Sequence, residues 1–123
     1  WDPRHKRMVP NPRGIAYYHQ LFRAMSRRAI RPAVTMYHWD LPYDVYLNTK
    51  RPLRGVETGG WTNPEIVRHF AAYAAVLFHE FGQYVPRWFT FNEARVFTYL
   101  GYELGVHPPF ERGLGYVANK NVL

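Results

Sequence analysis

Two short segments, residues 33–39 and 87–92, limit what this chain can fold into more than any other feature. Each reads as a β-strand, each follows a helical pattern, and each runs into a polar cluster. In the first, Val34, Met36 and His38 fall on one face, and Thr35, Tyr37 and Trp39 on the other. Bulky residues on both faces predict a parallel strand covered on both sides. The order helix, strand, helix, strand, with connections of suitable length, is the repeat of an α/β protein with a parallel sheet.

The helices are read from apolar spacing. From about Gly14, Ile15, Tyr18, Leu21, Phe22 and Met25 recur three and four residues apart,. Arg27 and Arg28 suit the negative C-terminal end of that helix, and Pro32 stops it. Thr62-Asn63-Pro64-Glu65 has the spacing of a capping box with Pro in the first turn. Ile66, Phe70, Ala74, Leu77 and Phe81 form the buried stripe behind it, and Gly82 is a natural stop. Residues 1–12 read as a connecting loop and 43–61 as a long loop. The part after Asn92 reads as irregular structure, with a further helix starting near Gly115. Two strands alone leave their edges bare, so the unit is expected to belong to something larger.

Composition narrows the function classes. The 123 residues suffice for one modest domain, and 47% hydrophobic with 20% charged residues is globular composition,. With no cysteine there is neither a disulfide nor a thiolate metal site,. The net charge of +7 would suit an acidic partner. However, Arg4-His5-Lys6-Arg7, Arg27-Arg28, and Lys50-Arg51 with Arg54 are short groups that do not alternate with aromatics. They read as solvated surface, and neither nucleic acid nor membrane is expected as a partner. No apolar run is long enough to span a bilayer. The chain opens Trp-Asp-Pro-Arg-His, without an initiator methionine or a signal peptide, so further sequence is expected upstream,.

In parallel α/β folds, ligands sit beyond the carboxyl ends of the strands. That position holds Tyr37-His38-Trp39-Asp40 on the first strand and Asn92-Glu93 on the second. An imidazole, an indole, an amide and a carboxyl around one mouth suit a polyol, with a carboxyl for proton transfer. Plainer readings stand beside these. His38 can be a satisfied polar residue and Trp39 part of the core, while Asp40 before Leu41-Pro42 is favoured as a turn cap. Glu93 is expected to be buried, because Phe89 and Phe91 precede it on one strand face. A buried carboxyl that stays protonated is a general-acid candidate. Other motifs fail. His79-Glu80 opens a zinc-protease pattern, but Gln83 stands where the second His is needed, so no metal is expected,. Gly113-Leu114-Gly115 is too short to cradle phosphate, and no Asn-X-Ser/Thr acceptor occurs,.

The segment Val34-Thr35-Met36-Tyr37-His38-Trp39-Asp40-Leu41-Pro42 resembles the third-strand segment of family 1 glycoside hydrolases, the β-glucosidase, myrosinase and klotho group. Gly59-Gly60-Trp61-Thr62-Asn63-Pro64, then Phe81-Gly82 and Val85, follow in the family's order. Thr90-Phe91-Asn92-Glu93 is similar to its acid/base motif, and Gly101-Tyr102, Gly105 and Pro109 echo the loop beyond it. The resemblance is colinear over nearly the whole chain.

It implies an internal fragment, residues 1–123, of a (β/α)₈ barrel: strands three and four with flanking helices, the N- and C-terminal parts missing. It further implies a retaining β-glucosidase, secreted or lumenal, acting on small β-glucosides without a cofactor. Glu93 would protonate the departing oxygen and then activate water, Asn92 would hold the sugar 2-hydroxyl, and His38 and Trp39 would line the −1 subsite. Several departures are visible. Ala94 stands where the family usually has Pro, His107-Pro108-Pro109-Phe110 replaces the usual Ala-Pro-Gly, and the segment between Pro42 and Gly59 is longer than typical. No segment here matches the family's nucleophile motif, Ile/Val-Thr-Glu-Asn-Gly, so the chain carries half of a catalytic pair. The alternative reading is a non-catalytic, klotho-like binding or degenerate module. Association with other chains or with the rest of a barrel is expected from the unpaired edges.

Overall fold

A computed structural model describes all residues, 1–123. The expected α/β unit is present. Helix α1 (Pro12–Ser26) leads to β1 (Ala33–Tyr37), and α3 (Ile66–Phe81) leads to β4 (Arg87–Phe91). The two strands pair in parallel, in register from Ala33 opposite Arg87 to Tyr37 opposite Phe91.

Two clusters hold the unit. At the amino ends of the strands, Phe22 of α1, Phe81 of α3 and Val85 are buried, with Ile15, Met25, Val34, Leu77, Tyr84 and Trp88 packed around them. At the carboxyl ends, Tyr37, Trp61, Ile66, Phe97, Tyr102, Leu114 and Ala118 bury together with Val45, and Phe70 and Phe91 pack against them. This second cluster is aromatic. Phe70 stacks on Phe91 at 4.7 Å, and Tyr37 meets Trp61 and Phe97 edge-on at 5.3 and 5.1 Å. Such pairs add about 0.5–1.5 kcal/mol each beyond their buried area.

The stripe read on α3 is the observed one, with Ile66 and Phe81 fully buried and Phe70, Ala74 and Leu77 half-buried. On α1 the stripe is only partly covered. Phe22 is buried, but Tyr18 and Leu21 are exposed, because two strands and one partner helix cannot cover the whole face. The same shortage leaves β4 open. Phe89 is 51% exposed, so the two-sided cover expected of the strands is incomplete.

Three other expectations are corrected. Residues 43–61 are not a loop: they form α2 (Tyr43–Asn48), a hairpin of β2 (Arg51–Leu53) with β3 (Val56–Thr58), and a 3₁₀ turn (Gly60–Thr62). Arg54 and Gly55 both have positive φ, 51° and 81°, which is the backbone of a two-residue hairpin turn,. The segment after Glu93 is helical, as α4 (Ala94–Thr98) continues into a π turn (Tyr99–Glu103). Its Gly and Tyr residues have weak helix propensity, but burial of Phe97 and Tyr102 overrides that,. Finally, Thr62 is not the cap of α3. Its hydroxyl donates to the Gly59 carbonyl at 2.8 Å, and Asn63 Oδ1 takes the Glu65 N–H instead. Helix α5 (Gly115–Val122) starts where the sequence places it, its Gly115 N–H held by Glu103.

Candidate active site

The carboxyl ends of β1 and β4 are tied by a short hydrogen-bond chain. The Trp61 indole N–H donates to the Tyr37 hydroxyl at 3.1 Å, and that hydroxyl donates to the Trp39 carbonyl at 3.0 Å. The Trp39 indole N–H donates to the Asn92 carbonyl at 2.9 Å, and the Asn92 N–H extends the ladder to the Tyr37 carbonyl at 2.9 Å. Trp39 and Asn92 are therefore fastened to one another across the strand ends. Trp61 is itself anchored through its backbone N–H, which donates to the Tyr102 hydroxyl at 3.1 Å.

The backbone departs from strand geometry at two equivalent points. Trp39 has φ 79° and Glu93 has φ 45°, both in the left-handed region that non-glycine residues rarely occupy,. Each such residue costs about 1–3 kcal/mol, and such outliers cluster at functional sites. At Glu93 the distortion starts α4: its carbonyl accepts from the N–H groups of Val96 and Phe97.

The expected burial of Glu93 does not occur. Its side chain is exposed, and Phe89 beside it is open as well. His38 is exposed next to Trp39, with ring centroids 5.8 Å apart, while Trp39 is half-buried against the aromatic cluster. His107 also meets the Trp39 ring edge-on at 5.5 Å. Asp40 is exposed and does not cap α2, whose N-cap is Pro42 without a side-chain bond. The structure thus joins Trp39 directly to Asn92, with His38 and Glu93 adjoining them in the chain. Tyr37, Trp61 and Tyr102 hold the arrangement and have no site role in the sequence reading. Their signal was present only as buried aromatics with a polar tip, which need partners when buried. Burial lifts the Tyr37 phenol to about 12, against the opposing bond from Trp61 and with a further push from the charge of Asp40.

Comparison with known proteins identifies the family and the fold. The model of glycosyl hydrolase family 1 matches residues 3–122. Beta-glucosidase A of Thermotoga maritima is 39% identical over 112 residues, covering 91% of this chain and 23% of that protein. Beta-glucosidase 40 of Arabidopsis thaliana is 43% identical over 102 residues, covering 80% of this chain and 18% of that protein. Among solved structures, the Thermotoga maritima beta-glucosidase in complex with glucoimidazole superposes with a TM-score of 0.80 at 38% identity, covering 95% of this chain and 24% of that one. A beta-glucosidase from Exiguobacterium marinum gives 0.79 at 38% identity, covering 91% of this chain and 24% of that one. The chain spans between 18% and 24% of the length of these relatives.

Proposed function

The chain belongs to glycosyl hydrolase family 1, and from that premise we propose that it is the acid/base portion of a retaining β-glucosidase. In this reading residues 1–123 supply the third and fourth strands and their helices to a (β/α)₈ barrel domain, and the remaining strands lie outside the chain. Glu93 gives its proton to the glycosidic oxygen as the bond from the sugar's anomeric carbon to that oxygen breaks. The anomeric carbon is taken by a nucleophilic carboxylate from elsewhere in the barrel, about 5 Å away. Glu93, now ionised, then draws a proton from water as the water displaces that carboxylate. Asn92 holds the 2-hydroxyl of the sugar, and His38 and Trp39 line the floor of the same subsite.

The single observation that supports this most is the pair of matched backbone outliers, Trp39 and Glu93, at adjoining strand ends, joined through the bond from Trp39 to Asn92. Strain held at that point by buried tyrosines and a buried tryptophan is hard to explain by stability alone. The choice of a β-glucoside as substrate is supported by the relatives: the Thermotoga maritima beta-glucosidase was solved in complex with glucoimidazole and with deoxynojirimycin. Because Glu93 is exposed in this chain, the desolvation that suits a general acid falls to the remaining strands.

The test is Glu93→Ala in the complete protein. Hydrolysis of an alkyl β-glucoside, whose leaving group needs a proton, is expected to fall about 10²–10⁴-fold. An aryl glucoside with an acidic phenol leaving group loses much less. Unchanged turnover of the alkyl glucoside would reject the role of Glu93.

A further inference from the structure

Arginines that stand apart in the sequence are gathered by the fold at the amino ends of the strands, opposite to Trp39 and Glu93. Helices α1 and α3 end there, and β1 and β4 begin there. Residues 19–35 and 74–90 form this end, and they hold Arg23, Arg27, Arg28, Arg31 and Arg87 against a single carboxylate, Glu80. Glu80 is engaged by His19 at 3.1 Å, and no ion pair of the chain includes any of the five arginines. All five are exposed.

They surround a groove of about 430 Å³, lined by Phe22, Ser26, Ile30, Arg31 and Gln83 among others. Arg27 and Arg28 lie in the turn between Ser26 and Ile30. Arg87 opens β4 opposite Ala33 and directly follows Pro86, which also lines the groove. The Arg23 Nε donates to the hydroxyl of Tyr84, a further lining residue, at 3.2 Å. Ile30 is 49% exposed and leaves apolar surface beside the charges. A cleft lined by charge of one sign focuses its field, and guanidinium groups take carboxylates in a two-pronged bond.

We propose that this groove docks an acidic peptide segment of a partner protein, with carboxylates on the arginine rim and an apolar side chain against Ile30. Recognition of acidic motifs by arginine clusters is a recurrent mode of peptide binding. Single-stranded nucleic acid asks for open aromatic faces, whereas the lining rings of Phe22 and Tyr84 are buried and half-buried,. A membrane surface asks for a protruding apolar face rather than a groove. The proposal is independent of the glucosidase reading, and a peptide docked at this end leaves the far ends of the strands open.

The experiment uses the complete protein and the fluorescein-labelled peptide Glu-Glu-Leu-Glu-Glu-Leu, with Gln-Gln-Leu-Gln-Gln-Leu as the uncharged control. Anisotropy is expected to show binding of the acidic peptide that weakens as salt rises. In Arg27→Gln/Arg28→Gln/Arg31→Gln the affinity is expected to fall about tenfold, as the loss of three exposed ion pairs implies. The melting temperature and the turnover of an alkyl β-glucoside are expected to stay unchanged. Should the triple variant melt early, Arg31→Gln alone carries the test, with an expected loss of about twofold. No binding of the acidic peptide at low salt, equal binding of the two peptides, or equal affinity in variant and unsubstituted protein overturns the proposal. Tighter binding of a single-stranded oligonucleotide or of phosphatidylserine vesicles than of the acidic peptide also overturns it. None of these outcomes touches the role of Glu93, which is tested by hydrolysis.

Discussion

At the scale of single residues, Tyr37 carries the arrangement of the site. Its hydroxyl receives the Trp61 N–H and donates to the Trp39 carbonyl, so it sets the indole beneath the strand ends and steadies the left-handed turn above them. The same burial makes stability depend on alkaline pH. An unfolded tyrosine ionises near 10, whereas Tyr37 in the fold ionises near 12,. Folded-state protection is thus complete below pH 10 and is lost as the pH rises from 10 to 12, because the unfolded chain releases its proton first. Two units correspond to about 3 kcal/mol at the upper end, and Tyr102, pushed upward mainly by its own burial, adds to the loss. Urea unfolding of the complete protein, followed from neutral pH to about 12, should show this decline. Tyr37→Phe should flatten part of it. At neutral pH the same substitution should cost about 1–3 kcal/mol, since it leaves the Trp61 indole N–H without its acceptor, while the Trp39 carbonyl keeps the Leu41 N–H,. A stability that stays level up to pH 12 in the unsubstituted protein would refute this account.

At the scale of elements, the informative piece is the α2–hairpin segment. Its cohesion comes from buried threonines more than from apolar packing. Thr49, 1% exposed, donates to the Val45 carbonyl and accepts from Gly60, while Thr58 and Thr62 share a hydrogen bond at 3.0 Å. Thr49→Val keeps shape and volume but strands the Gly60 N–H in the interior, an expected cost of about 1–3 kcal/mol. Gly60 is a sharper probe. It has φ 60°, and a β-carbon there would lie 2.6 Å from both Leu41 and the Tyr102 hydroxyl. Gly60→Ala should therefore destabilise more than Thr49→Val and should perturb the Trp61 fluorescence, as the Tyr102 anchor is pushed away. Equal melting temperatures for Gly60→Ala and the unsubstituted protein would show that this close approach is not structural.

At the scale of the whole molecule, the uncovered surface dominates. The main sheet has two strands, each with one unpaired edge, and only 22 of 123 residues are buried. The 123-residue chain by itself is expected to associate or to melt without cooperativity, and to turn over no β-glucoside. Sedimentation and a thermal scan check the first point, and a cooperative melt by a monomer would contradict it. Much of the architecture was already legible in residue order. The parallel pair, the stripe on α3 and the start of α5 follow from local periodicity and turn chemistry, which short-range sterics impose wherever the chain sits. The placement of His38, Trp39, Asn92 and Glu93 at strand ends was legible for the same reason. What only the tertiary structure decided is how those residues stand. The hairpin turn at Arg54-Gly55 lacks the usual Asn-Gly signature, the helix after Glu93 is stabilised by buried Phe97 and Tyr102 against weak propensity, and Glu93 itself takes a left-handed backbone and stays exposed. The last two rest on partners 40 to 60 residues away, such as Phe97 against Tyr37 and Trp39 with Asn92. Periodicity along a chain carries no information about contacts made at that separation, so burial at the site had to be seen in the fold.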